Sequence, residues 1–486
     1  MLDYPMSSTK TIRTRMAPSP TGDLHIGSLR TALYAYAYAK QNNGKFIIRV
    51  EDTDQKRLVE GAMPRTLQIF KDFNLVYDEG PDVGGPYGPY IQTERLEIYK
   101  KYIQELLDKK LAYYCFCSPK RLDEMRLVQK AAKKIPKYDR QCLKLSDKEI
   151  QTKLKNGEKY VIRLKVPDNQ NISFNDQIRG KITFNTNEVD DQVLIKSNGI
   201  PTYHFAVVVD DHLMQITQIM RGEEWISSTP KQVILYNYFG WEMPEFCHLT
   251  VLLDPTHPGK MSKRFGSVMA RQFLDDGYLP EALLNFLMLL GWNSGTEQEL
   301  YTLEEFIKAF NLEHLHKKSP IFDRKKLDYF NGLYIRKLSD EKFGEYFKKF
   351  LPEITDNQIK ILTPVLKERI VKFSDLKESL KFLFEDVNYG KELLLKKGTD
   401  PKSAIDMLTK TKSLLSGLST FDFQIIQTEI LNLLKENNWN TGEYFMVFRV
   451  AICGSAFTPP VVECLPALGL NNTLRKIDVA LHHLSD

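Results

Sequence analysis

The sequence predicts an α/β multidomain protein: a Rossmann-type parallel sheet interrupted by an α+β insertion, followed by an all-α C-terminal region. Three observations predict it. The N-terminal segment reads strand, Pro/Gly-containing loop, helix, strand. The character of the chain changes between about residues 113 and 202, where cysteines cluster beside Lys-rich helical patches. From about residue 333 onward the apolar spacing is almost wholly helical.

Residues 11–16 predict a short strand, followed by the loop Ala17-Pro18-Ser19-Pro20-Thr21-Gly22-Asp23. A helix begins near His25 and runs to Lys40, with Gly44 ending it. The β-rich run over residues 45–50 completes a β-α-β unit of the kind that builds a parallel nucleotide-binding sheet. A Gly/Pro-rich loop over residues 80–89 precedes a helix over 94–110. Inside the insertion, residues 160–166 and 181–184 read as small strands. The apolar run 205–209 and the segment 214–220 read as strands returning to the sheet. Beyond about residue 256 the chain turns helical, with amphipathic segments at 279–290 and 303–310. The expected division is therefore 1–112 and 203–255 for the two halves of the sheet domain, 113–202 for the insertion, 256–332 for a further domain and 333–486 for the helical region.

At 486 residues the chain exceeds what one hydrophobic core supports, and 42% hydrophobic with 27% charged residues is a globular composition. No uncharged apolar run is long enough to predict a membrane span, and residues 1–10 lack the apolar core of a secretory signal. Six cysteines are too few for a disulfide scaffold and fit a reducing, cytoplasmic setting. The net charge of +5, from 67 Lys plus Arg against 62 Asp plus Glu, permits a nucleic-acid partner without demonstrating one.

His25-Ile26-Gly27-Ser28 sits where the first loop enters its helix. A helix N-terminus presents unpaired N–H groups and a partial positive charge, which attract phosphate. Gly27 admits a nucleotide close to the backbone, and His25 can hydrogen-bond phosphate oxygens as charge shifts. Taken singly, a capped helix with an incidental histidine explains these four residues as well. Lys260-Met261-Ser262-Lys263-Arg264 lies far downstream, after the loop over residues 254–259. Two lysines and an arginine on a loop can close over a triphosphate and neutralise charge developing on leaving pyrophosphate.

The two motifs, in this order and on these elements, resemble the signatures of class I aminoacyl-tRNA synthetases. Arg15-Met16-Ala17-Pro18-Ser19-Pro20-Thr21-Gly22, Arg49-Val50-Glu51-Asp52-Thr53-Asp54, Pro201-Thr202-Tyr203-His204-Phe205, Asp210-Asp211-His212 and Arg221-Gly222-Glu223-Glu224-Trp225 are similar to the glutamyl branch of that class. Ser28 stands where the class commonly has histidine. The matches extend over about the first 330 residues, and the helical remainder resembles the family in organisation.

The resemblance implies a site. Arg15 and Tyr203 contact the glutamate side-chain carboxylate and Arg221 completes a cationic pocket, while Ser19 and Glu51 hold the α-amino group. His25, Gly27, Lys260, Ser262 and Lys263 handle ATP, with His25, Lys260 and Lys263 catalytic and Lys263 foremost in stabilising the transition state. Trp225 packs beside the adenosine or the amino acid, a core role being an equal alternative. For Arg221 the alternative is a surface salt bridge. Arginine forks match carboxylates, whereas a neutral amide leaves a buried cation uncompensated, so Arg221 favours glutamate over glutamine.

Cys115-Phe116-Cys117 followed by Cys142 is spaced like a zinc site of some family members. Lys144 occupies the position of the expected histidine, so a bound zinc and a degraded site with free cysteines both stay open. The implied partners are ATP with Mg²⁺, L-glutamate and tRNA(Glu), with tRNA(Gln) left open. The insertion would meet the acceptor end, residues 256–332 the stem, and the helical region the anticodon. Lys317-Lys318 and Arg324-Lys325-Lys326 are candidate backbone contacts. The expected form is a cytoplasmic monomer. Rival readings are a glutaminyl ligase and a non-catalytic tRNA-binding paralogue.

Overall fold

The β-α-β unit forms as its alternation dictates: β1 (Arg13–Met16) pairs in parallel with β2 (Lys45–Ile48), and α1 (Ile26–Gln41) crosses between them. The computed structural model describes residues 10–257, 259, 261, 268–395 and 399–485. Lys260, Ser262, Lys263 and Arg264, and the pair Lys396 and Lys397, lie outside the described residues. The helix does not end on Gly44. It ends at Gln41, Asn43 takes the left-handed turn at φ 52°, and Gly44 serves a close approach instead. A Cβ on Gly44 would stand 2.2 Å from the Ile12 carbonyl oxygen.

The remaining strands are β3 (Ala112–Cys115), β4 (Val161–Leu164), β5 (Asn171–Asp176), β6 (Gly180–Asn185), β7 (Val193–Ile195), β8 (Gln218–Gly222) and β9 (Glu245–Leu249). The main sheet has the order β2-β1-β8-β9-β5-β6, parallel throughout except for the β5–β6 hairpin at its edge. A second, antiparallel sheet has the order β3-β4-β7. The expected insertion over residues 113–202 is thus not self-contained. Its hairpin β5–β6 extends the main sheet, because Phe174 must be buried against Phe246 of β9, their ring centroids 5.4 Å apart.

One expected strand is a helix. Residues 205–209 lie within α2 (Tyr203–Leu213), with Phe205, Ala206, Val207, Val208 and Val209 all buried. A short apolar run rich in valine does not tell a strand from a buried helix by its spacing. Thr202 precedes α2 in extended conformation, and at its far end the buried Asp211 meets Arg15 of β1 while Asp210 meets Arg95, which ends the 3-10 turn Gln92–Arg95. The α-helix that follows β8, α3 (Thr229–Phe239), leads into β9.

Two compact units result, one reaching Gln272 and resuming over Leu284–Asp323, the other comprising Phe273–Leu283 and Arg324–Asp486. The expected boundary between residues 332 and 333 falls inside the helix Arg324–Lys337, which belongs whole to the second unit. That unit is helical among its described residues, and its core gathers Phe343, Phe347, Leu362, Leu408, Ile430, Tyr444 and Phe448. No described helix is long and apolar enough to cross a membrane.

Candidate active site

A cavity of about 810 Å³ lies at the carboxyl ends of β1 and β8, where Met16 and Gly222 line it together with Thr250. Open parallel sheets place ligands there because the strand ends and the loops leaving them form a crevice. Arg15, Ser19, His25, Gly27, Glu51, Tyr203, Arg221 and Trp225 all line this cavity. The structure therefore brings together every described residue of the expected amino-acid and nucleotide sites.

Helix α1 begins under this cavity, but not with open N–H groups. The Ile26 N–H donates to the Val268 carbonyl at 2.8 Å, the Gly27 N–H to His25 Nδ1 at 3.0 Å and the Ser28 N–H to the His25 carbonyl at 2.9 Å. The expected ring of unpaired amides is already satisfied. Since Nδ1 accepts, the proton of neutral His25 sits on Nε2. Gly27 also has a second reason to be glycine: a Cβ there would lie 3.2 Å from His25 Nδ1 and press the ring out of its cap.

The arginines of the site are not equivalent. Arg15 grips Asp211 with Nε at 3.1 Å and Nη2 at 3.3 Å. Arg49 donates to Asp211 at 2.7 Å and to Glu51 at 3.0 Å. Asp210 takes Arg95 at 2.7 Å, Gln92 at 3.0 Å and the Tyr99 hydroxyl at 2.7 Å. All of these groups are buried. Burial alone would raise the Asp211 carboxyl, but the charges of Arg15 and Arg49 outweigh it and hold the group below the usual range. Arg221 differs: among the described residues no carboxylate stands within ion-pair distance of it. Its Nε donates to His248 Nε2 at 3.0 Å, Nη1 to Gln232 Oε1 at 2.8 Å and Nη2 to Thr229 Oγ1 at 2.8 Å. Burial lowers its pKa from the ordinary arginine value, yet from so high a start that it stays a cation.

Glu51 is buried, and desolvation pushes its carboxyl up to about 7 despite Arg49 and Arg15. Tyr203 stacks at a tilt on Trp225, ring centroids 4.5 Å apart, so the tryptophan forms a wall of the cavity. The sequence reading did not identify the anions Asp210 and Asp211 as partners of the arginines, nor the supports His248, Gln232 and Thr229. It also missed Lys196, which lines the cavity and donates to the Thr53 carbonyl at 2.7 Å. Asp210 and Asp211 could have been found as adjacent carboxylates closing an apolar helix, a position that calls for cationic partners.

Away from the cavity, the sulfurs of Cys115, Cys117 and Cys142 lie within 4.8 Å of one another. The Tyr138 hydroxyl stands 3.3 Å from Cys117 Sγ and accepts from the Cys142 N–H at 2.9 Å, while Lys144 is exposed. A hydrogen bond from Cys142, aided by others from Tyr138 and Arg163, favours the thiolate of Cys115.

A parallel sheet with a substrate cavity at its carboxyl ends, in a chain that continues into a helical unit, is the plan of a class I tRNA synthetase. The family model for tRNA synthetases class I (E and Q), catalytic domain, matches residues 11–329, and an anticodon binding domain model matches 342–481. A glutamate–tRNA ligase of Clostridium botulinum (strain Hall) is 43% identical over 483 residues, covering 98% of this chain and 99% of the relative. One from Finegoldia magna is 43% identical over 491 residues, covering 97% and 99%. The crystal structure of a glutamate tRNA ligase from Elizabethkingia meningosepticum, in complex with its amino acid, superposes with a TM-score of 0.85 at 36% identity, covering 97% of this chain and 99% of that one. The chain belongs to this family, on its glutamate–tRNA ligase branch.

Proposed function

We propose that this enzyme activates L-glutamate with ATP and esterifies it to the 3′ end of tRNA(Glu), using the cavity at the carboxyl ends of β1 and β8. The observation that carries the substrate choice is Arg221. It is a buried cation that three neutral acceptors hold and no described carboxylate neutralises. An incoming side-chain carboxylate would complete it, whereas the amide of glutamine would leave it uncompensated. Arg15 and Tyr203 stand on the same cavity wall, but Arg15 is largely committed to Asp211 and contributes a positive rim more than a free fork. Glu51, with Ser19 at the cavity mouth, is suited to the substrate's ammonium group.

In the first step the glutamate α-carboxylate oxygen attacks the α-phosphorus of ATP, and pyrophosphate leaves with the bonding pair. His25 Nε2–H, Lys260, Ser262 and Lys263 would bind the phosphates. In the second step the terminal ribose hydroxyl of the tRNA attacks the adenylate carbonyl, AMP leaves with the bonding pair, and a phosphate oxygen of the departing AMP can take the hydroxyl proton. Alignment and charge stabilisation supply the acceleration, and no side chain is required as a dedicated base. Mg²⁺, entering with ATP, would screen the phosphate charge.

Cys115, Cys117 and Cys142 fit a structural zinc as three thiolate ligands, with the Tyr138 hydroxyl the neighbouring oxygen that could complete a tetrahedron. The sheet β3-β4-β7 and these cysteines would meet the acceptor end, residues 256–332 the stem, and the helical unit the anticodon. A monomeric state and a cytoplasmic setting complete the reading, with tRNA(Gln) as a second acceptor left to the test. Its test is ATP-dependent attachment of labelled glutamate to transcripts of both tRNAs, with Lys263→Ala as control. Charging of the tRNA(Glu) transcript supports it, charging of both marks a non-discriminating ligase, and charging of neither by folded protein overturns it.

A further inference from the structure

Asp176, His248 and Arg221 form a line across three adjacent strands. In the β5-β9-β8 part of the sheet, Arg221 stands in register with His248, and Asp176 with Phe246 two residues before it. Parallel pairing with period-two alternation puts all three side chains on one face. Asp176 Oδ2 accepts from both the backbone N–H and Nδ1 of His248, at 2.9 and 2.7 Å. Asp176 Oδ1 accepts from the N–H groups of Ile178 and Arg179, at 3.0 and 2.9 Å. Every partner of this carboxylate is a donor, so it is an anion and Nδ1 of His248 carries a proton. On the other side, Arg221 Nε can only donate, so His248 Nε2 must be bare. Both neighbours select one neutral tautomer of a fully buried ring. Phe246 stacks on His248 at 9° between planes and lies 5.3 Å from the Arg221 guanidinium carbon.

We infer that Asp176 and His248 are a positioning pair for Arg221: they fix the direction of its guanidinium toward the substrate carboxylate while leaving its charge unneutralised. A carboxylate in direct contact would orient Arg221 equally well and would offset its charge, as Asp211, shared between Arg15 and Arg49, does in part for those two. The imidazole between Asp176 and Arg221 transmits orientation and keeps the anion one ring away, an arrangement akin to the outer partners that orient metal-ligating histidines. The edge hairpin that carries Asp176 thereby sets amino-acid selection in the cavity without touching substrate. This inference rests on the reading of Arg221 as the partner of the substrate side chain.

The test uses the full chain with its tRNA and reads KM for glutamate and for ATP separately. Asp176→Asn and His248→Leu are expected to raise KM for glutamate about tenfold with KM for ATP within about twofold. His248→Gln, whose amide can accept from Arg221 and donate to Asp176, is expected to recover most of the loss. If both KM values move together, or Gln rescues no better than Leu, the pair is structural and the inference falls. Arg221→Gln separates the two readings. If it leaves KM for glutamate unmoved, the role of Arg221 itself fails. If it raises that KM while Asp176→Asn does not, only the positioning pair fails. Nitrogen-15 NMR of histidine-labelled wild-type protein, with His248 assigned from His248→Gln, checks the pair should Asp176→Asn not fold. A proton on Nδ1 with Nε2 bare is expected, and the reverse tautomer overturns the inference.

Discussion

Ile26 and Val268 are joined by a backbone hydrogen bond of 2.8 Å, within a short antiparallel bridge in which His25 faces Met269 and the Ala270 N–H donates to the Leu24 carbonyl at 2.9 Å. The first residues of α1 and the chain that leaves the Lys260–Lys263 motif are thereby stitched together beside the cavity.

Ala270→Pro should test that bridge, with Ala270→Ser as a control that keeps the N–H donor. Ala270 opens a helix, where proline's fixed φ is tolerated, so the substitution deletes the donor to Leu24 while adding ring atoms at a buried position. ATP–pyrophosphate exchange should show kcat lowered about tenfold, with KM for glutamate unchanged, because the phosphate end of the site loses its alignment.

Asp211→Asn should destabilise the protein strongly. It leaves Arg15 and Arg49 buried without their shared anion, and breaking one partner of such a cluster costs about 3–5 kcal/mol. Urea denaturation of wild type and variant gives the difference. A shift under about 1 kcal/mol would mean that water or a neighbouring carboxylate takes over the charge.

Glu51 should impose a pH limit on glutamate use. Its carboxyl, raised by burial to about 7, is neutral in the free enzyme below that pH and ionised above it. An ammonium group binds the ionised form, so kcat/KM for glutamate should rise with pH, reach a plateau above about 7 and be about tenfold lower at pH 6. The sign for folding is opposite. Because the folded-state pKa lies above the unfolded one, this group favours the fold at acid pH, and that contribution is lost between about 4.5 and 7. Glu51→Gln should flatten this limb of the kcat/KM profile, with a lower plateau.

Elemental analysis of the purified chain should find about one zinc per molecule, and Cys117→Ser should release it. Tyr138→Phe should weaken retention against a chelator if the phenol oxygen supplies the fourth position, with the three thiolates still detectable by their cobalt-substituted spectrum.

These experiments bear on parts of the molecule that were unequally legible in the sequence. The β-α-β entry, the return of the chain at residue 218 and the helical second unit follow from local alternation and helical spacing, which short-range sterics enforce. The valines at 207–209 misled because burial on every side removes the periodicity that separates helix from strand. The edge hairpin misled for another reason. Residues 171–185 are separated in sequence from their partner β9 by the whole of β7 through β8, and no local pattern announces a pairing at that distance.

By itself the sequence determined which charged and polar side chains stand in motifs that resemble the glutamyl branch of the class I synthetases: His25, Glu51, Arg15, Tyr203 and Arg221. Only the tertiary structure decided which of the arginines keeps its charge for a ligand. Coulomb interactions act across space and depend steeply on separation in a buried medium. The fold brings Asp211, near the end of α2, within 3.3 Å of Arg15 on β1 and of Arg49 just after β2, whereas among the described residues Arg221 meets only neutral acceptors because β9 presents histidine next to it. Charge type is written in the chain; charge balance is a property of the fold.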